Sequence, residues 1–152
     1  MARALDLQNY IGHLIRRAEQ VHTALWSQQV SREITSQQFA VLNALSHKPG
    51  IDQRTLARLT SLDRSTINQM VRRLTVQGHV SQARDAEDRR RTLLELTEQG
   101  SALLAALIPP AEAVNEQLLG LLPEAQRGLA LDSLRRIAFM DEALDSGDAR
   151  RP

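Results

Sequence analysis

Apolar residues at Leu7, Ile11, Leu14, Ile15, Ala18, Val21 and Leu25 recur every three or four positions, which predicts an opening helix over about Leu5 to Val30. A second helix is capped by Thr35 or Ser36, carries Phe39, Val41, Leu42 and Leu45, and ends at the His47-Lys48-Pro49-Gly50 turn. Asp52 caps a short third helix with Leu56, Ala57 and Leu59. Asp63 opens a fourth, which turns Ile67, Met70, Val71 and Leu74 inward and has Gly78 just past its end. The period then changes. His79 to Arg84 and Arg91 to Leu96 predict two strands joined by the charged stretch Asp85 to Arg90, and the adjacent Leu93 and Leu94 point to a short, twisted hairpin. Helix resumes after Thr97 through Leu104, Leu107 and Ile108, where the pair Pro109-Pro110 is expected to kink or divide it. Pro123 starts a last helix, with Leu129, Leu134, Ile137, Ala138 and Leu144 on its apolar face.

Two short helices joined by a tight turn and followed by a charged hairpin make a winged helix-turn-helix. The expected fold is therefore mainly α with a small β-hairpin wing (α+β). Its winged lobe occupies residues 33–100, flanked by helical segments 1–32 and 101–146, and 147–152 form a frayed tail.

A chain of 152 residues, 42% hydrophobic and 24% charged, suffices for one domain with its own core. The absence of Cys excludes a disulfide scaffold, a thiolate metal site and thiol redox sensing. The longest uncharged apolar stretch, Leu103 to Ala111, is too short to span a bilayer, so no membrane partner is expected. The N-terminus lacks the apolar segment of a signal peptide, which predicts a cytoplasmic protein. Enzyme chemistry finds no footing: Ser65 and Ser101 lack a nucleophile-elbow context, and His13, His22, His47 and His79 are scattered without metal-ligand spacing. Neither a metal nor a cofactor is expected.

Net charge is only +1, but nine arginines face four acids between Arg54 and Arg91, and the rest of the chain is net acidic. A basic count alone describes a solvated face as well as an anion site. Placement decides. On the fourth helix the positions outside the core are Arg64, Ser65, Thr66, Asn68, Gln69, Arg72 and Arg73, with no acid among them. Hydroxyl, amide and guanidinium groups are what read base edges in a major groove. In the hairpin tip, Asp85 or Asp88 can fix a neighbouring guanidinium while a freed arginine reaches into a minor groove.

The runs Asp63-Arg64-Ser65-Thr66, Asp88-Arg89-Arg90 and Leu96-Thr97-Glu98-Gln99-Gly100, with Val71, Leu74, Gly78 and Val80 between them, resemble the signature of the MarR family of bacterial transcription regulators. The resemblance implies a winged helix-turn-helix regulator of double-stranded DNA. In it the helix after Asp63 lies in the major groove, Arg90 enters the minor groove, and Arg89 and Asp88 support the wing. It also implies a homodimer, usually a repressor, with 1–32 and 101–146 as dimerisation helices and a pseudo-palindromic operator whose half-sites lie roughly 34 Å apart. The first helix is similar to that of family members responding to aromatic carboxylates, in some of which an Arg and a His six positions apart hold the ligand. Arg16 and His22 have that spacing, with Tyr10 and His13 nearby. A His in an apolar stripe reads equally as a packed core residue, and Arg16 as a surface partner of Glu19. A metal-responsive or effector-free regulator of this fold and a non-specific architectural DNA binder are the alternatives.

Overall fold

This computed structural model describes residues 4–140. Its elements are α1 (Ile11–Gln29), α2 (Ser36–His47), α3 (Gln53–Thr60), α4 (Arg64–Val76), β1 (Val80–Arg84), β2 (Thr92–Leu96), α5 (Glu98–Leu119) and α6 (Glu124–Ala138). The chain divides into a larger compact unit ending at Val114 and a smaller one from Asn115 onward. Among the described residues no helix is long and apolar enough to cross a membrane.

Each helix of the winged region starts on a polar side chain that satisfies a free backbone N–H. Thr35 and Gln38 form a reciprocal capping box at α2, Asp52 accepts the Thr55 N–H at 2.8 Å, and Asp63 accepts the Thr66 N–H at 2.9 Å. The turn from α3 into α4 passes through Ser61 in the left-handed region at φ 53°. At the other end of α4, Gly78 adopts φ 79°, and the His79 and Gly78 amides donate back to the Leu74 and Thr75 carbonyls. That double bond pattern stops the helix and feeds the chain directly into β1.

Val41, Leu42, Leu45, Leu56, Ile67, Val71, Leu74 and Leu94 are fully buried in one cluster, to which α5 adds Leu104 and Leu107. The hairpin pairs Val80 with Leu96 and Arg84 with Thr92. Its second strand is held from the other side as well: the Gly50 N–H donates to Leu94 and the Leu94 N–H to Ile51, at 3.0 and 2.8 Å. Below the hairpin, the Thr97 hydroxyl donates to the Gly78 carbonyl at 2.6 Å and accepts the Gly100 N–H at 2.9 Å. A Cβ at Gly100 would stand 2.0 Å from the His79 carbonyl oxygen, so only glycine fits this crossing.

Two sequence expectations need correction. The first helix begins at Ile11, because the Asp6 carboxylate caps a separate 3-10 turn, Leu7–Asn9, and Tyr10 is extended between the two. The Pro109-Pro110 pair does not divide α5, which continues through both rings. The carbonyls left without donors are those of Ala105 and Ala106, exposed residues whose oxygens water can serve. On α3, Leu56 is buried whereas Leu59 is exposed.

α1 buries only Trp26, whose indole N–H donates to the Ile34 carbonyl at 2.7 Å and whose ring lies 5.1 Å from that of Phe39. In the smaller unit α6 buries no residue; Leu129, Leu134 and Ile137 are all exposed. Leu144 and the segments 141–146 and 147–152 lie outside the described residues.

Candidate DNA interface

The core stripe of Ile67, Val71 and Leu74 fixes the rotation of α4, and so decides which side chains face outward. Arg64, Ser65, Asn68, Gln69, Arg72 and Arg73 are exposed, with Thr66 at the margin. Asp63 holds the first turn of this face: besides the Thr66 amide it accepts the Thr66 hydroxyl. Those two bonds keep its carboxyl below the usual carboxylate range. The Thr66 proton is thereby committed inward, leaving its methyl and oxygen lone pairs free for a ligand. Towards the end of the helix, Gln69, Arg72, Arg73, Val76 and Gln77 line an open hollow.

The wing sorts its charges by geometry. Arg91 reaches out of the hairpin base, its Nε 3.3 Å from Asp52 Oδ2 and its Nη1 3.7 Å from Asp85 Oδ2. Arg84 donates to the Arg89 carbonyl at 3.0 Å. Asp88 makes no ion pair among the described residues; its Oδ1 accepts the Arg90 N–H at 3.0 Å and its carbonyl the Arg91 N–H at 2.9 Å, which folds the tip into a tight turn. Of the two acids the sequence left open, both hold the turn backbone, Asp85 through the Glu87 N–H and Asp88 through the Arg90 N–H, and Asp85 is the one that also meets a guanidinium. The side chains of Arg64, Arg72, Arg73, Arg89 and Arg90 carry no ion pair or hydrogen bond among the described residues, so five cations stand ready for an external anion.

On α1, Arg16 is exposed and one of its guanidinium nitrogens lies 3.3 Å from His13 Nδ1. His22 is half-buried, its ring 6.1 Å from Trp26 and tilted by 51°. Tyr10 is exposed at the start of the helix, its ring over Gly12. The structure thus brings His13 to Arg16, whereas His22 turns towards the aromatic pair Trp26 and Phe39.

Residues 33–91, from just before α2 to the wing, match the MarR family. The HTH-type transcriptional repressor NicR of Pseudomonas putida is 39% identical over 138 residues, covering 90% of this chain and 87% of NicR. The chain belongs to the MarR family. Among solved structures, the PcaV transcriptional regulator of Streptomyces coelicolor, in complex with its natural ligand, superposes with a TM-score of 0.87 at 42% identity, over 90% of this chain and 97% of PcaV. BpsR of Bordetella bronchiseptica, whose DNA binding is regulated by 6-hydroxynicotinic acid, gives 0.85 at 30% identity over 90% and 98%. This MarR-family chain is accordingly a DNA-binding transcription regulator.

Sequence reasoning missed two groups in this regulator. Arg54 and Arg58 lie one turn apart on α3, both exposed and without a partner among the described residues. Helical spacing could have found them, since they fall on the side opposite Leu56. Arg91 looked interchangeable with Arg89 and Arg90, and its contact to Asp52 spans 39 positions that no local pattern links.

Proposed function

We propose that this chain is a homodimeric repressor that binds a pseudo-palindromic operator and releases it when a small phenolic or aromatic carboxylate binds beside α1. The observation that carries the DNA part is the acid-free outer face of α4, set beside a wing tip whose Arg89 and Arg90 are unpaired. Arg64, Ser65, Thr66, Asn68 and Gln69 read base edges; Arg72 and Arg73 engage phosphates. Arg90 enters the minor groove, with Arg89 beside it and Asp88 holding the turn. Arg54 and Arg58 meet the backbone as the first helix of the motif crosses it. The exposed apolar faces of α1 and α6 support pairing with a second copy, because such stripes are too large to leave in water. The regulator acts on chromosomal DNA in the cytoplasm, and its role is regulation rather than catalysis.

For the effector, Arg16 supplies a bidentate grip for a carboxylate, and His22, His13 and Tyr10 offer partners for a ring hydroxyl. BpsR responds to a hydroxylated heteroaromatic acid, which supports this ligand class here. By linkage, a ligand that lowers operator affinity tenfold must itself bind the DNA-bound form tenfold less tightly.

A thermal-shift panel of benzoates, hydroxybenzoates, hydroxynicotinates and cinnamates tests the reading, with Arg16→Ala and His22→Ala beside the parent. A ligand at about 100 times its Kd adds about 2.7 kcal/mol of stability. The expected result is a shift for one class, lost in Arg16→Ala. A panel without any shift removes the effector from the reading and leaves the DNA function standing.

A further inference from the structure

We propose that Arg91 is a positioning residue for DNA binding: it clasps the wing to the start of α3 and so sets the direction of the tip that carries Arg89 and Arg90. The proposal rests on the reading above that Arg89 and Arg90 engage DNA.

The geometry divides the wing arginines into two kinds. Arg84 and Arg91 point back into the protein, one onto the Arg89 carbonyl and the other onto Asp52 and Asp85. Arg89 and Arg90 have no partner among the described residues. Asp52, Asp85 and Asp88 each accept one backbone amide, from Thr55, Glu87 and Arg90 respectively, and of the three it is Asp52 and Asp85 that also meet a guanidinium, that of Arg91. Arg91 sits between them and is held by its own backbone: its carbonyl accepts the Asp85 N–H at 3.1 Å and its N–H donates to Asp88 at 2.9 Å. Three residues further on, Leu94 is strapped to Gly50 and Ile51. The side-chain clasp to Asp52 thus extends a backbone strap that already joins β2 to the segment entering α3.

The Arg91 side chain is 49% exposed, so its ion pairs contribute little to folding. What they determine is direction. A two-stranded ribbon twists and bends easily at its tip, and minor-groove insertion demands that the tip arrive at one height and angle. Asp52 caps α3, the helix packed against α4, so the wing and the α4 reading face are tied to one helix pair.

The test uses the full chain and a duplex that the parent recovers from a random pool, with affinity measured by fluorescence anisotropy across a salt series. Arg91→Ala removes the clasp from one side. Asp52→Asn removes it from the other and keeps a good N-cap for α3, so a folding defect cannot explain the result. Each variant is expected to weaken binding about tenfold without changing the slope against salt, and both losses should vanish in an Arg89→Ala/Arg90→Ala background. A slope shallower by about one, with a loss that persists in that background, would make Arg91 a phosphate contact and overturn the proposal. So would Asp52→Asn binding as well as the parent. If Arg89→Ala/Arg90→Ala alone binds like the parent, the underlying wing reading fails and the clasp falls with it, an outcome visible before Arg91 is touched.

Discussion

α4 spans 13 residues and α6 spans 15, and both mix aliphatic residues with arginines, yet α4 buries Ile67, Val71 and Leu74 completely while α6 buries nothing. The difference does not lie in helix propensity or capping. α4 has an aspartate cap and α6 begins behind Pro123, and both are regular helices. It lies in what each apolar stripe meets. The α4 stripe closes on α2, α3 and the hairpin inside one core, so its rotation is fixed and its polar face is presented reliably. The α6 stripe meets water within this chain, which makes it a surface waiting for a second copy under the dimer reading. One apolar pattern thus closes a core, and a similar one stays exposed.

The sharpest way to break the contrast is to truncate both stripes. Ile67→Ala should cost about 2–5 kcal/mol, read as a large fall in Tm, because it leaves a cavity in a closed core. Gly100→Ala should cost about 1–3 kcal/mol through its collision with the His79 backbone, although it adds a single methyl. Leu134→Ala should stay within about 0.5 kcal/mol at dilutions where the chain is monomeric. At higher concentration, sedimentation should show the variant dimer dissociating before the parent's. A cost for Leu134→Ala matching that of Ile67→Ala in the monomer would erase the distinction. The smallest effect concerns the aspartate caps of α3 and α4. Asp52 and Asp63 have carboxyls below the ordinary 3.8, from the Thr55 and Thr66 hydrogen bonds respectively. Their stabilisation is full above that value and is lost as pH falls through the lowered folded-state values. An acid titration by circular dichroism should show this loss in the parent and less of it in Asp52→Asn or Asp63→Asn, whose neutral caps do not titrate.

Most of the winged region was legible from sequence because its signals are local. Asp52, Asp63 and Gly78 announce their roles by chemistry and position, and the stripes of α2 and α4 set which residues face in. The prolines left a kink and a break equally open, because a rule about lost N–H groups does not say whether water can serve the freed carbonyls; exposed Ala105 and Ala106 allow it, and α5 is not divided. The roles of Asp85 and Asp88 could not be separated on paper: both stand beside arginines, and only the folded turn decides which one faces a guanidinium. Arg91 was illegible for a stronger reason, since its partner is brought near by the strap between β2 and Ile51. The Arg16 and His22 pair was readable as spacing on a helix, but its meaning depends on a ligand that spacing cannot supply.

Trp26 is the only tryptophan in the sequence, and it stands where α1 meets the start of α2, hydrogen-bonded to Ile34, against Phe39 and near His22. Its burial makes it an optical probe that needs no label: emission should be blue-shifted in the folded chain and move to the red as this junction opens. Light collected from one native side chain can thus report on the joint between the helix carrying Arg16 and the lobe that holds the DNA-reading face.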